Sequence, residues 1–319
     1  MSHNTLVKLR TGLEISQFGL GTATFGGLFT SITDEDAVST VETALDLGIT
    51  YIDTAPHYGK GSGERRLAKA LAGKNSFHLS TKIGRLLVPA VNSLDPDFAD
   101  TDTSVVREFD YSTAGVERSI KESLERLEME YVDIVYIHDP DDAIYVEQSI
   151  KEAYPALEKM RNQGLIKAIG VGMNQSAVPT RFVNETDIDI VLIAGRYTLL
   201  DQSAAQDLLP AALKRGVDII AAGVLNSGIL ANPVVGATFD YAPATPEILA
   251  KALKIKEILD GHGISITSAA LQFPLRHSSV KAVLVGCRSS KEVIDNTAAF
   301  DVVIPESVWQ DLARSYLES

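Results

Sequence analysis

The sequence predicts a (β/α)8 (TIM) barrel with an N-terminal β-hairpin cap and an extra C-terminal helix. Three observations carry this. Short apolar runs recur eight times, and a segment of helical period follows each one. The fingerprints of the competing doubly wound sheet are missing: "GLGTATFGG" follows a strand but does not fit G-x-G-x-x-G, and there is no P-loop. Neither a linker, a low-complexity tract nor a shift in composition divides the 319 residues, so one domain is expected over 1–319.

The elements follow in order. "TLVKLRTGLEIS" reads as a hairpin turning at Thr11-Gly12 and closing the lower end of the barrel. The first strand is "SQFGLGTA", followed by the helix "DEDAVSTVETALDLG", with Asp34 as its N-cap and Gly48 as its stop. "ITYIDT" precedes "GERRLAKALAG", and "FHLSTKIG" is the third strand. A long polar stretch, "VPAVNSLDPDFADTDTSVVREF", separates the third strand from the helix "STAGVERSIKESLERLE" and is expected to be a loop over the pocket. "VDIVYIHD" leads into "QSIKEAYPALEKMRNQG", "IKAIGVGM" into "AVPTRFVNE", and "IDIVLIAGRY" into "AAQDLLPAALKRG". "VDIIAAGVL" is followed by a loop and the helices "PEILAKALKIKEILDGHG" and "SITSAALQFPLRH". The eighth strand, "VKAVLVG", precedes "SSKEVIDNTAAF" and the closing helix "PESVWQDLARSYLES". Apolar strands alternating with helices pair in parallel with both faces covered, and eight such units close an α/β barrel.

Composition narrows the function. A net charge of −13 opposes nucleic-acid binding, which needs clustered Lys and Arg. The N-terminus lacks the apolar core of a signal peptide, and no apolar run approaches the roughly 18 residues that span a bilayer. The single cysteine, Cys287, precludes an internal disulfide, and CxxC patterns are absent. A reduced, soluble, cytoplasmic protein with neither a nucleic-acid nor a membrane partner is expected.

Barrel chemistry gathers where the strands end. Those ends carry Asp53 and Tyr58 after the second strand, Lys82 on the third and His138 after the fourth. Taken singly, Asp53 is more often a turn residue, Tyr58 a packing residue and His138 a strand cap. Lys82 is harder to dismiss, because lysine is almost never fully buried unless paired. Four ionisable groups on three consecutive strand ends are less readily four accidents. A phenol titrating near 10 is a poor proton carrier at neutrality. A neighbouring ammonium would lower its pKa, and a carboxylate would hold that ammonium charged. Asp53, Lys82 and Tyr58 thus suit acid–base work in hydride transfer, with His138 donating to the substrate oxygen.

At this point the chain resembles the aldo-keto reductase superfamily of NAD(P)-dependent barrels. "FGLGTATFGG", "YIDTAPHYG", "LSTKIGR", "VYIHDPD", "AIGVGMN", "AGRYTLLD", "NSGIL" and "VGCRSSKEVIDN" are similar to its successive motifs, nearly end to end. The resemblance implies Tyr58 as general acid/base, Lys82 and Asp53 as its tuners, and His138 as the substrate-orienting group. A narrower resemblance is to the branch containing D-threo-aldose (L-fucose) 1-dehydrogenases and pyridoxal 4-dehydrogenase. It implies oxidation of an anomeric hydroxyl, or of the pyridoxal hemiacetal, to a lactone, with His57 near substrate hydroxyls.

The resemblance also implies a cofactor-binding set: Gly21, Thr22, Asn174, Leu225, Ser227, Gly228, Gly286, Arg288, Ser289, Glu292 and Asn296. Two positions depart from the family. Ala194 stands where many members carry a Gln for the carboxamide, and Ala222 stands near the place of the ring stacked on nicotinamide. NADP-preferring members carry a Lys and an Arg at the positions of Gly286 and Glu292. NAD is therefore expected, with NADP open through Arg288, Ser289 and Ser290. Phe25 and Arg196, at strand ends, are candidate substrate contacts, against ordinary packing or a surface ion pair.

Other classes of function fit parts of the pattern. Asp53, His57 and His138 could ligate a metal, though His-x-His is missing and Lys82 would repel the ion. No metal is expected. Lys82 could form a Schiff base. Within the resembling superfamily, an NADPH-dependent aldehyde or ketone reductase and a non-enzymatic, cofactor-sensing regulatory subunit are the alternatives.

Overall fold

The structure, a computed structural model, describes residues 1–317. Eight parallel strands close into a barrel: β1 Phe18–Gly21, β2 Tyr51–Asp53, β3 His78–Ile83, β4 Ile134–His138, β5 Ala168–Met173, β6 Ile190–Ala194, β7 Asp218–Ala222 and β8 Val280–Gly286. Each pairs with the next in chain order, and β8 closes on β1 with Gly286 opposite Gly21. Every apolar run expected as a strand contributes one.

The two-residue alternation of the strands separates two apolar layers. Phe18 and Leu20 of β1 face outward into the layer beneath the helices, while Gly19 and Gly21 face the barrel interior. That interior is filled by the rings of Tyr51 and Tyr136 with Ile190, Ile220 and Leu284. Gly19 makes room for one ring, since a Cβ there would stand 2.6 Å from Tyr51 Cδ1. Gly170 does the same for Tyr136, at 2.5 Å.

The N-terminal hairpin pairs Leu6–Lys8 with Glu14–Ser16 and places Leu9, Leu13 and Ile15 under the interior layer as a plug. A third apolar layer holds the closing helix, Glu306–Leu317, through Trp309 and Leu312 against Ile255 and Leu259 of the helix Pro246–Gly261. Glu318 and Ser319, assigned by sequence to that closing helix, lie outside the described residues.

Two local expectations are corrected. The helix Asp34–Asp46 is capped by Thr33, whose hydroxyl accepts from Asp36 N, and Asp34 is its first residue. The stretch after β3 contains a β-hairpin, Arg85–Pro89 with Val105–Phe109, where a loop was expected. Its 15-residue tip is fastened down by Arg66–Asp100, Arg65–Asp102 and Arg107–Asp95 ion pairs.

No helix among the described residues is long and apolar enough to cross a membrane.

Candidate active site

The C-terminal ends of β2, β3 and β4 bring their side chains together on one side of the barrel mouth. β2 ends on Asp53, and Tyr58 opens a tight 3-10 turn in which Gly59, Lys60 and Gly61 all have positive φ. Gly59 is required there, because a Cβ would stand 2.7 Å from Gly26 Cα and 2.1 Å from Ser62 Oγ. Lys60 adopts the same left-handed conformation while buried, its Nζ donating to the carbonyl and hydroxyl of Ser93 at 2.8 Å each. The turn delivers the Tyr58 ring over Lys82, whose Nζ lies 4.8 Å from the ring centroid.

Lys82 spends its three donors on three acceptors: Asp53 Oδ2 at 2.6 Å, the Thr54 carbonyl at 2.9 Å and Tyr58 OH at 3.1 Å. Because the Tyr58 oxygen accepts from Lys82, its own proton is free to point outward. The other oxygen of Asp53 accepts from Ser80 Oγ at 2.6 Å. Ser80 Oγ is itself 3.1 Å from Tyr51 OH, which is 3.0 Å from Tyr136 OH. A buried chain of polar groups therefore runs from the barrel interior up to the phenol, and sequence reasoning had placed neither tyrosine nor Ser80 in it.

The electrostatics correct one expectation. Burial pushes the Tyr58 phenol well above its ordinary value, and the Asp53 charge adds to this. Burial, with the Asp53 charge behind it, outweighs the lowering expected from Lys82. Burial likewise pushes the Asp53 carboxyl up, opposed by Lys82. Tyr58 is thus a protonated donor in this structure.

His138, at the end of β4, puts its ring 6.2 Å from that of Tyr58 and 5.5 Å from that of His57. Burial first, then the positive charge of Arg85, hold both imidazoles neutral, His57 down to about 2 and His138 well below its ordinary value. A neutral His138 offers one N–H donor and one acceptor. Phe98, from the fastened hairpin tip, closes one side with its ring 5.3 Å from His57 and 6.2 Å from Tyr58. Arg85 and Asp139 complete the mouth. Both had been passed over in the sequence, since nothing local marks a strand-end Arg or the residue after a His as facing a cavity.

The two candidate pocket residues fall elsewhere. Phe25 is fully buried in the outer apolar layer beneath the helices, so it packs and lines no open surface. Arg196 is held by Asp201 and Asp240 at 3.2 and 2.7 Å, and its Nε donates to the Asn174 carbonyl. It ties β6 to the turn at Asp240.

A second group of expected residues lines the rim from β8 and β1 round to β7. Gly21 and Gly286 are paired neighbours, and a Cβ on either would come into ordinary van der Waals contact, 3.5 Å from Leu284 Cγ and 3.6 Å from Thr24 Cγ2 respectively. Thr22 donates from its hydroxyl to the Asp53 carbonyl. After β7, Asn226, Ser227 and Gly228 have consecutive positive φ values, and the Asn226 and Gly228 amides donate within the turn, to the Gly223 and Leu225 carbonyls at 2.8 and 3.0 Å. Asn226 Oδ1 is buried with no partner among the described residues, an acceptor that awaits a donor. Ser289 caps the helix Ser290–Phe300, accepting from Glu292 N. Arg288 is folded onto Glu292, its Nε and Nη2 donating to Oε1 at 3.2 and 2.9 Å. Asn296 donates to Cys287 Sγ, and Leu225 precedes the turn. The orphaned Asn226 acceptor beside this tight polar turn suits a dinucleotide.

Comparison with known proteins adds to this geometry. The aldo/keto reductase family model matches residues 17–316. D-threo-aldose 1-dehydrogenase of a Pseudomonas species is 38% identical, over 99% of this chain and 99% of its own. Pyridoxal 4-dehydrogenase of Microbacterium luteolum is 37% identical over 97% and 96%, and L-galactose dehydrogenase of Arabidopsis thaliana 32% over 92% and 88%. Among solved structures, a glycerol dehydrogenase of Gluconobacter oxydans superposes with a TM-score of 0.77 at 24% identity, covering 98% of this chain and 95% of that one.

Proposed function

The chain belongs to the aldo/keto reductase family, and from that premise we propose that it is an NAD-dependent dehydrogenase. Its substrate on this reading is an aldose, oxidised at the anomeric hydroxyl to a lactone, or the cyclic hemiacetal of pyridoxal. Two relatives named for those activities, at 38% and 37% identity, support the choice. The observation that carries the chemistry is the contact of Tyr58 OH with Lys82 Nζ at 3.1 Å, with Asp53 anchoring Lys82 at 2.6 Å.

Bound nicotinamide would supply the hydride acceptor and, when oxidised, a positive charge at the barrel mouth. Gly21, Thr22, Asn174, Leu225, the Ser227–Gly228 turn, Gly286, Ser289 and Asn296 would hold the dinucleotide along the rim. Glu292 keeps Arg288 occupied, so a 2′-phosphate would have to break that pair, and this favours NAD.

The chain's own residues manage the proton. His138 donates to the substrate oxygen and aligns it with Tyr58. In oxidation Tyr58 must first release its own proton to solvent; Lys82 Nζ, 3.1 Å away, stabilises the phenolate so formed, which then takes the hydroxyl proton as the carbon releases its hydride. In reduction the same proton leaves Tyr58. The raised phenol favours the acid role, so aldehyde or ketone reduction is the second reading of the same site. One free, buried cysteine suits a reducing, cytoplasmic setting.

The test is one plate. The protein is mixed with NAD or NADP and a panel of aldoses plus pyridoxal, and nicotinamide reduction is followed optically. Turnover is expected with NAD, and Tyr58→Phe is expected to lose about 10²–10⁴-fold in kcat while still binding cofactor. Near-full activity in that variant overturns the acid–base assignment.

A further inference from the structure

The cavity mouth carries a polar group that neither the acid–base residues nor the dinucleotide rim uses. Arg85, the first residue of the hairpin after β3, extends its guanidinium between the ends of β2 and β4. Nη2 donates to Asp139 Oδ2 at 2.7 Å. Nη1 lies 3.1 and 3.3 Å from the two ring nitrogens of His57. The guanidinium rests on the Phe109 ring, 5.3 Å from its centroid. Nε is buried and has no partner among the described residues.

Asp139 faces the same space by an unusual route. Successive residues of a strand point to opposite sides. Asp139 has φ +43, a left-handed turn that swings its carboxylate back until Oδ2 is 3.3 Å from His138 Nε2. Both of its side-chain contacts fall on Oδ2, which leaves Oδ1 to accept from elsewhere.

The stability argument does not account for this arrangement. Taking a charge pair out of water costs about as much as the pair regains, and a buried guanidinium N–H left unpaired adds to that cost. A ligand that both donates and accepts removes it. Each hydroxyl of a polyol does so, giving its proton to Asp139 Oδ1 and accepting from Arg85 Nε, while neutral His57 offers a further nitrogen. An apolar aldehyde would leave Arg85 Nε and Asp139 Oδ1 desolvated and unanswered.

We propose that Arg85, with Asp139 and His57, forms a hydroxyl-reading subsite that binds the ring hydroxyl next to the reacting carbon, and that Arg85 is the residue that selects polyols over apolar carbonyl compounds. The inference deepens the aldose reading above and rests on it for the identity of the substrate. Its geometry also makes a claim about binding alone.

The test therefore has a binding arm and a turnover arm. The binding arm titrates a 1,5-anhydroalditol, which keeps the ring hydroxyls of an aldose but has no anomeric hydroxyl to oxidise, into the NAD-saturated enzyme by calorimetry. Arg85→Met, with its melting temperature and NAD affinity unchanged, is expected to bind at least about tenfold more weakly. In the turnover arm the wild type is expected to prefer an aldose over its 2-deoxy form by at least about tenfold in kcat/KM, carried by KM. Arg85→Met is expected to erase most of that preference.

Unchanged anhydroalditol affinity in Arg85→Met overturns the subsite even when aldoses are oxidised. Arg85-dependent anhydroalditol binding without turnover of any aldose supports the subsite and overturns the aldose reading. No binding to the wild type overturns the subsite outright. Where Arg85→Met does not fold, Asp139→Asn, which keeps an oxygen for Arg85 but lowers its charge, replaces it. A loss in affinity below about threefold in that variant overturns the proposal as well.

Discussion

The carboxylate of Asp139 stands 3.3 Å from Nε2 of His138, the residue immediately before it in the chain. Only the left-handed backbone at Asp139 lets two consecutive residues at a strand end share one cavity. An aspartate tolerates that conformation better than most residues, and Arg85 holds the carboxylate in place. A proton carrier, its orienting imidazole and a charged wall are thereby gathered within a few ångströms.

That crowding predicts how stability follows pH. His57 and His138 are held neutral in the folded chain, while each titrates near 6.5 when unfolded. Between those values the unfolded chain binds more protons, so stability rises with pH up to about 6.5 and is lost as pH falls. Asp139 has the opposite slope, because burial raises it to about 6, with Asp141 adding and Arg85 and Lys82 opposing. Asp53, Asp141 and Asp218 are raised by burial as well and share the slope of Asp139, so the imidazole contribution is read from a variant. In denaturant titrations His57→Gln is expected to reduce the stability lost between pH 7 and pH 5 by about 2 kcal/mol relative to the wild type. An unchanged loss in that variant would place the His57 imidazole in contact with water.

A second prediction concerns the buried support beneath Asp53. Ser80 Oγ donates to Asp53 Oδ1 at 2.6 Å, and hydrogen bonds to charged groups contribute about 1.5–3 kcal/mol. Ser80→Ala leaves that oxygen without its donor and frees the carboxylate to rotate away from Lys82. The expected result is a fall of about tenfold in kcat with little change in KM and a shift in the kcat pH profile. A variant that only melts earlier, with an unmoved profile, would make Ser80 a packing residue.

The cofactor preference should turn on Glu292. Its Oε1 accepts twice from Arg288, which keeps that guanidinium from any phosphate. Glu292→Arg removes the repelling carboxylate and frees Arg288 at once. The ratio of kcat/KM for NADP to that for NAD is expected to rise by at least about tenfold, measured with whichever aldose turns over fastest. An unchanged ratio would mean that this part of the rim does not face the adenosine ribose.

Much of the fold was legible in the sequence because the signals are local. Eight continuous apolar runs, buried on both faces, and helices of period 3.6 need no knowledge of distant contacts, and each run became a barrel strand. The hairpin after β3 was not legible. Pro89, Asn92 and Asp95 read as loop residues, and the pairing of Arg85–Pro89 with Val105–Phe109 closes over a 15-residue tip. Thr33 and Asp34 are both good cap residues, so the choice between them fell to backbone geometry.

For the site, the chemistry of Asp53, Tyr58, Lys82 and His138 could be read from residue type and strand-end position. Their proton affinities could not, because burial and the pairing of Asp53 with Lys82 depend on distances between separate strands. The same holds for Phe25, whose strand-end position suggested a pocket while packing buried it, and for Arg85, whose partners lie 28 and 54 positions away. Residue order and periodicity determined which elements form and which ends they present. Only the closed barrel decided which side chains meet and what charge each of them carries, since electrostatic and packing energies act through space and fall off within a few ångströms.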